Sequence, residues 1–203
     1  MSKSSLAIMA LPAETRAALV RLGKRLQLAR KKRNSSLAEL AKDAGINAKT
    51  AAKIERGDPS VALRMVIAVM LAMNMEKDIE EIAGPLPEEF SDSSLKSEVF
   101  EERIQAPLVR LGGRIRQLRK FRKLRIVDMA KSMYASPVTV RQLETGSRSV
   151  SLGIAAAALD ILHREKDFEK VAQAANDRTG MSLDAHRQFN RKRIRRKSLK
   201  MAA

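Results

Sequence analysis

The chain has 203 residues and a formal net charge of +17, with 40 Lys and Arg against 23 Asp and Glu. It has no cysteine, which excludes disulfides, zinc–thiolate sites and thiol catalysis and fits a reducing cytoplasm. No apolar run reaches the roughly 20 residues that span a bilayer, and the excess of cations suits a polyanionic partner, nucleic acid before an acidic membrane surface.

Aromatic residues make up only 3%, so a core must be built from aliphatic residues, methionine and alanine, a composition that favours helices. The opening MSKSSLAIMALPAE holds a short apolar patch and one lysine, too little for a secretory leader, and 1–11 reads as a tail. Pro12 is placed to open a helix with Leu19, Leu22, Leu26 and Ala29 on one face. Lys24, Arg25, Arg30, Lys31 and Arg33 fall on its other face. Ser36-Leu-Ala-Glu39 is a capping box that starts a second, short helix, and Gly45 ends it. Asn47 caps a third helix, which runs to Arg56 and stops at Gly57. Ser60 is expected to cap a fourth, apolar helix through Met73, and Asp78 to begin a short fifth. Met65, Met70, Met73 and Met75 read as core filler. An acidic stretch with Ser and Pro follows, and 87–104 reads as a linker.

The chain then repeats itself. At one offset, 17–83 falls on 106–172 with about 24 of about 67 positions identical and no gap. Arg30, Lys31 and Arg33 return as Arg119, Lys120 and Arg122, and Glu55 and Gly57 as Glu144 and Gly146. Each copy is too long for a solenoid unit, so two small domains of one fold are expected, at 12–86 and 105–176. In the second copy Leu108, Leu111, Ile115 and Leu118 form the first stripe, and Ser136-Pro137 is an N-cap with proline at the first helical position. The remainder, 177–203, includes RKRIRRKSLK and reads as a basic helix or tail able to follow phosphates.

In each copy two short helices are joined by a turn, and the second is capped by Asn or Ser and closed before Gly. This is a helix-turn-helix signature. Its residues are Arg30, Leu40-Ala41, Gly45-Ile46-Asn47, Thr50 and Ile54-Glu55-Arg56-Gly57, then Arg119, Met129-Ala130, Ser136, Thr139, Leu143-Glu144 and Gly146. On these residues the chain resembles the lambda-repressor-like family (Cro/C1, XRE type) in tandem, and its first copy also resembles HipB-like antitoxins.

The resemblance implies an all-α chain of two five-helix domains, each with a recognition helix that enters the major groove of double-stranded DNA. The outward residues would be Asn47, Lys49, Thr50, Lys53 and Arg56 in the first copy. In the second they would be Ser136, Val138, Thr139, Arg141, Gln142 and Arg148. Lys49 and Lys53 suit guanine or phosphate, Gln142 adenine, Val138 a thymine methyl, and Arg141 and Arg148 phosphate. The resemblance further implies structural ion pairs, Arg30 with Glu55 and Arg119 with Glu144. Two features depart from the family. Leu37 and Ile126 stand where it sets a phosphate-gripping Gln. Tyr134 replaces turn residue Gly45, so the second turn is expected to be reshaped or Tyr134 to touch DNA or protein.

The function expected is a sequence-specific transcriptional regulator of a bacterium, phage, plasmid or integrative element, associated with the nucleoid. It would act as a covalent pseudo-dimer on two unlike half-sites. No catalytic constellation, metal site or cofactor motif is readable, and His163 and His186 are isolated. A homodimer, a toxin or RNA polymerase remain open as further partners. The rival readings are an antitoxin and an architectural or relaxosome accessory protein.

Overall fold

A computed structural model describes residues 3–80, 82, 100–173, 177 and 182–183. Among these residues every regular element is a helix, with no strand. After α1 (Lys3–Met9), the first copy comprises α2 (Ala13–Lys32), α3 (Leu37–Asp43), α4 (Ala48–Glu55), α5 (Leu63–Ala72) and α6 (Glu76–Glu80). The second comprises α7 (Phe100–Phe121), α8 (Ile126–Ser132), α9 (Pro137–Glu144), α10 (Leu152–Ile161) and α11 (Asp167–Lys170).

Local chemistry sets most of these boundaries. The Ser36 hydroxyl accepts from Glu39 N–H while the Glu39 carboxylate accepts from Ser36 N–H, closing the capping box. Those bonds hold the Glu39 carboxyl below its ordinary value. At the end of α3, Ile46 N–H returns to Ala41 O and Gly45 N–H to Lys42 O, with Gly45 at φ 62°. This is a Schellman closure. Ala135 and Tyr134 make the same two bonds to Ala130 and Lys131. Tyr134 sits at φ 51°. The second turn is therefore not reshaped: it keeps the left-handed residue in spite of its side chain, which is exposed. Other left-handed residues also come in matched pairs, Asn34 with Lys123 and Asn74 with His163.

Several boundaries differ from the sequence reading. Residues 3–9, read as tail, form α1, which rests on α10 of the second copy and buries Ala7. The fourth helix begins at Leu63, not at Ser60, because Ala62 is held extended by a bridge to the other copy. The last part of the expected linker is helical: α7 starts at Phe100, runs through Pro107 and buries Ile104. Residues 83–99 of the spacer region and the basic run at 191–200 lie outside the described residues.

The two copies share one continuous core. Helices α5 and α10 are buried on nearly every face, as expected of helices apolar all round. They lie where the copies meet. Ala62 and Ser151, equivalent residues of the repeat, form an antiparallel bridge. Leu63 N–H donates to Val150 O and Leu152 N–H to Val61 O, both at 2.8 Å. These two bonds exchange under the repeat, so a local pseudo-twofold axis passes between Ala62 and Ser151. Helix contacts follow the same exchange. Helix α5 packs on α7 and α10 on α2, while α6 packs on α7 and α11 on α2. Arg25 Nε donates to Val171 O at 2.8 Å, and its equivalent Arg114 donates through Nη1 to Ile82 O at 3.3 Å.

Candidate nucleic-acid interface

Helices α4 and α9 are the second helices of the two helix-turn-helix units, and each is seated by its own copy's first long helix. The seat is close. A Cβ on Gly23 would lie 2.6 Å from Glu55 O, and one on Gly112 would lie 2.4 Å from Leu143 O. Only glycine on the long helix lets the end of the short helix approach this far. Ala51 and Ile54, then Val140 and Leu143, point into the core. That fixes which side of each short helix faces outward.

A second lock is ionic. Arg30 Nε and Nη2 donate to the two carboxylate oxygens of Glu55 at 2.6 and 3.0 Å, and Nη1 donates to Ser35 O at 2.8 Å. Gln27 adds a bond to Glu55 Oε2 at 3.0 Å. In the second copy Arg119 makes the same fork to Glu144, at 2.5 and 3.0 Å, with Leu124 O as its third acceptor. Bonding to the carboxylate raises the pKa of Arg30 and Arg119 against the opposing effect of burial. Both acids sit at the last helical residue of the short helix, so each pair ties that end to α2 or α7.

The outward sides of the two helices differ in chemistry. In the first copy Asn47, Lys49 and Arg56 are exposed and Thr50 and Lys53 half-buried. The Asn47 side-chain oxygen accepts from Thr50 N–H at 2.7 Å, which leaves its amide nitrogen as the group that can donate outward. Lys53 lies 3.7 Å from Asp58. Burial pushes the Asp58 carboxyl up, but bonds from Ser60 and the charge of Lys53 outweigh it, and the net shift is downward. In the second copy Val138, Arg141, Gln142 and Arg148 are exposed and Ser136 and Thr139 half-buried. Ser136 caps Thr139 N–H at 3.0 Å. Arg148 donates to Gln105 Oε1 at 2.9 Å, and Gln105 donates to Gly146 O at 3.0 Å, so this arginine is braced from α7. Val138 is 57% exposed, an apolar group on the same helix as the exposed Arg141 and Gln142. Leu37 and Ile126 begin α3 and α8 half-buried.

The basic face read on α2 needs correction. Arg25 donates to Glu169, Phe168 O and Val171 O of the second copy. Arg33 forks onto Asp177 at 2.7 and 2.8 Å and donates to Met73 O. With Arg30 on Glu55, three of those five cations hold the fold together, and Lys24 remains exposed. The sequence did carry the signal for this clamp: Arg21, Arg25 and Glu169 are identical to Arg110, Arg114 and Glu80 across the repeat. Thr15 and Asp160, which bond each other across the copies, gave no such signal because the repeat does not preserve them.

None of the helices among the described residues is long and apolar enough to cross a membrane. A family model described as Helix-turn-helix matches residues 26–79, and a second, Helix-turn-helix domain, matches 110–167. No curated protein matches the chain, and no solved structure does. With a capped, turn-linked helix pair in each copy and a family match over each, the chain belongs to the helix-turn-helix DNA-binding proteins and carries two such domains of the lambda-repressor-like kind in tandem, the first of the Cro/C1, XRE type.

Proposed function

We propose that the chain is a sequence-specific transcriptional regulator that binds double-stranded DNA as a covalent pseudo-dimer, setting α4 and α9 against two unlike half-sites. The observation that carries this reading is the exchanged pair of backbone bonds at Ala62 and Ser151. Dimers of helix-turn-helix domains meet across a twofold axis and address half-sites about one helical turn, ~34 Å, apart. Here one chain supplies both partners and the axis between them.

The half-sites are unlike because the readers are. Lys49, Lys53 and Arg56 stand where the second copy has Val138, Gln142 and Thr145. Three cations favour guanine edges and phosphate. A valine and a glutamine favour a thymine methyl and adenine. Arg141 and Arg148 supply the second copy's phosphate contacts, and Asn47, Thr50, Ser136 and Thr139 line the entry of each helix. The surplus positive charge adds a sequence-independent, salt-sensitive attraction. On this reading the chain acts as a DNA-binding regulator.

The deciding experiment is selection of binding sites from random duplexes, followed by footprinting at known stoichiometry. The expected site is asymmetric and covered by a single chain. A perfect palindrome with one chain on each half, or no preference over random competitor, would overturn the reading.

A further inference from the structure

The face between the copies is twofold in its backbone but not in its side chains. On one side of the axis Thr15 of α2, wholly buried, donates its hydroxyl to Asp160 of α10 at 2.7 Å. On the other side the repeat places Ile104 where Thr15 stands and Leu71 where Asp160 stands. Both are buried, on α7 and α5, which pack on each other. Polar therefore meets polar on one side, while both equivalent positions on the other side are apolar and buried. Near the axis, Gly153 takes the place of Arg64. A Cβ on Gly153 would lie 3.0 Å from Pro59 O and 2.8 Å from Ile8 Cγ1.

We infer that this face selects the unlike half of the chain over a second copy of the same half. Two first copies facing each other would set the Thr15 hydroxyl against Leu71 twice. They would also bring Arg64 to the place beside Pro59 that glycine occupies. Two second copies would set the half-buried carboxylate of Asp160 against Ile104 twice, and a buried polar group without a partner is costly. The rim does not oppose this last pairing. Arg103 pairs with Glu76 across the copies and would find Glu165, the equivalent acid, in a pair of second copies. That contact is exposed and contributes little, so discrimination against self-pairing of the second half rests on Asp160 and on α1, which covers α10 only when the first half is present. The inference concerns assembly alone and is separable from what the chain reads on DNA.

The test keeps the full chain. A protease site is inserted beside Ser93, the folded protein is cut, and the fragments are incubated together and weighed by native mass spectrometry. The fragments are expected to remain as the 1:1 unlike pair, enriched at least about tenfold over self-paired halves, the ratio set by one buried polar group left unpartnered. With Asp160→Leu, which matches the apolar side, second halves are expected to self-pair and the enrichment to fall about tenfold or more. Thr15→Val, a smaller change, should reduce the enrichment without making second halves self-pair. Three outcomes would overturn the inference: fragments that separate into monomers, wild-type halves that self-pair as readily as they cross-pair, or an unchanged enrichment in both variants.

Discussion

Arg30 and Glu55 grip each other through two parallel hydrogen bonds, and Arg119 and Glu144 repeat the grip in the second copy. The acids lie at the ends of the helices proposed to meet DNA, where a free carboxylate would repel phosphate. Each acid's charge is spent inward instead. Side-chain exposure is 11% and 6% for the first pair and 8% and 5% for the second, so removing one partner strands a buried charge.

Glu55→Ala should therefore lower the unfolding free energy by about 3–5 kcal/mol. Urea denaturation followed by circular dichroism measures this. Unchanged stability accompanied only by weaker DNA binding would show that the pair has no structural role. Glu144→Ala should behave in the same way in the second copy.

Gly57 and Gly45 are both left-handed, yet they should respond differently to alanine. A Cβ on Gly57 would lie 2.3 Å from Leu19 O, whereas nothing lies within 4 Å of one on Gly45. Gly45→Ala should cost only the left-handed conformation, about 1–2 kcal/mol. Gly57→Ala adds overpacking against backbone of about 1–3 kcal/mol. Equal shifts in the two urea midpoints would contradict this account of how α4 is seated.

The clamp at Glu169 makes a prediction about acid. Burial pushes this carboxyl up, but its pairs with Arg21 and Arg25 outweigh burial and hold it below the ordinary glutamate value. A carboxyl depressed in the folded state stabilises fully above its unfolded pKa, and that contribution is lost as pH falls through the folded value. Stability of the wild type should thus fall in acid more than that of Glu169→Gln. Asp58, Asp128 and Glu39 shift in the same direction and contribute equally to both proteins. Parallel acid limbs in the two unfolding series would remove Glu169 from the account.

The two recognition helices should separate in their response to salt. Lys49→Ala should reduce the slope of log K against log salt by about 0.9 if one phosphate contact is lost. Gln142→Ala should leave the slope nearly unchanged and relax discrimination at one base pair by about 1–3 kcal/mol. Fluorescence anisotropy on matched and singly substituted duplexes measures both. A salt slope lowered equally by both variants would contradict the unlike readers.

Much of each copy was legible because its signals are local. Ser36 with Glu39, Asn47 with Thr50, and Ser136 with Thr139 set helix starts through bonds within a single turn. Glu55 and Glu144 stood out because they are identical across the repeat. What escaped was decided by the other copy. Ser60 looked like a cap, but the bridge at Ala62 moved the helix start. Arg25 and Arg33 looked like an outward basic face, but Glu169 and Asp177 lie more than a hundred residues away in sequence. Residues 3–9 read as a tail and instead form a helix that rests on the alanine-rich α10. Tyr134 shows the opposite limit: sequence argued for strain at that turn, and the Schellman bonds around it kept the backbone in place.

The bridge between Ala62 and Ser151 joins residues of one polypeptide. In an assembly of identical subunits any change to the reading surface appears twice and must suit both arms of its target. Here a mutation of Val138 leaves Lys49 untouched. On the proposed reading each arm can therefore be retuned by its own codons, and a lopsided address is open to evolution one letter at a time.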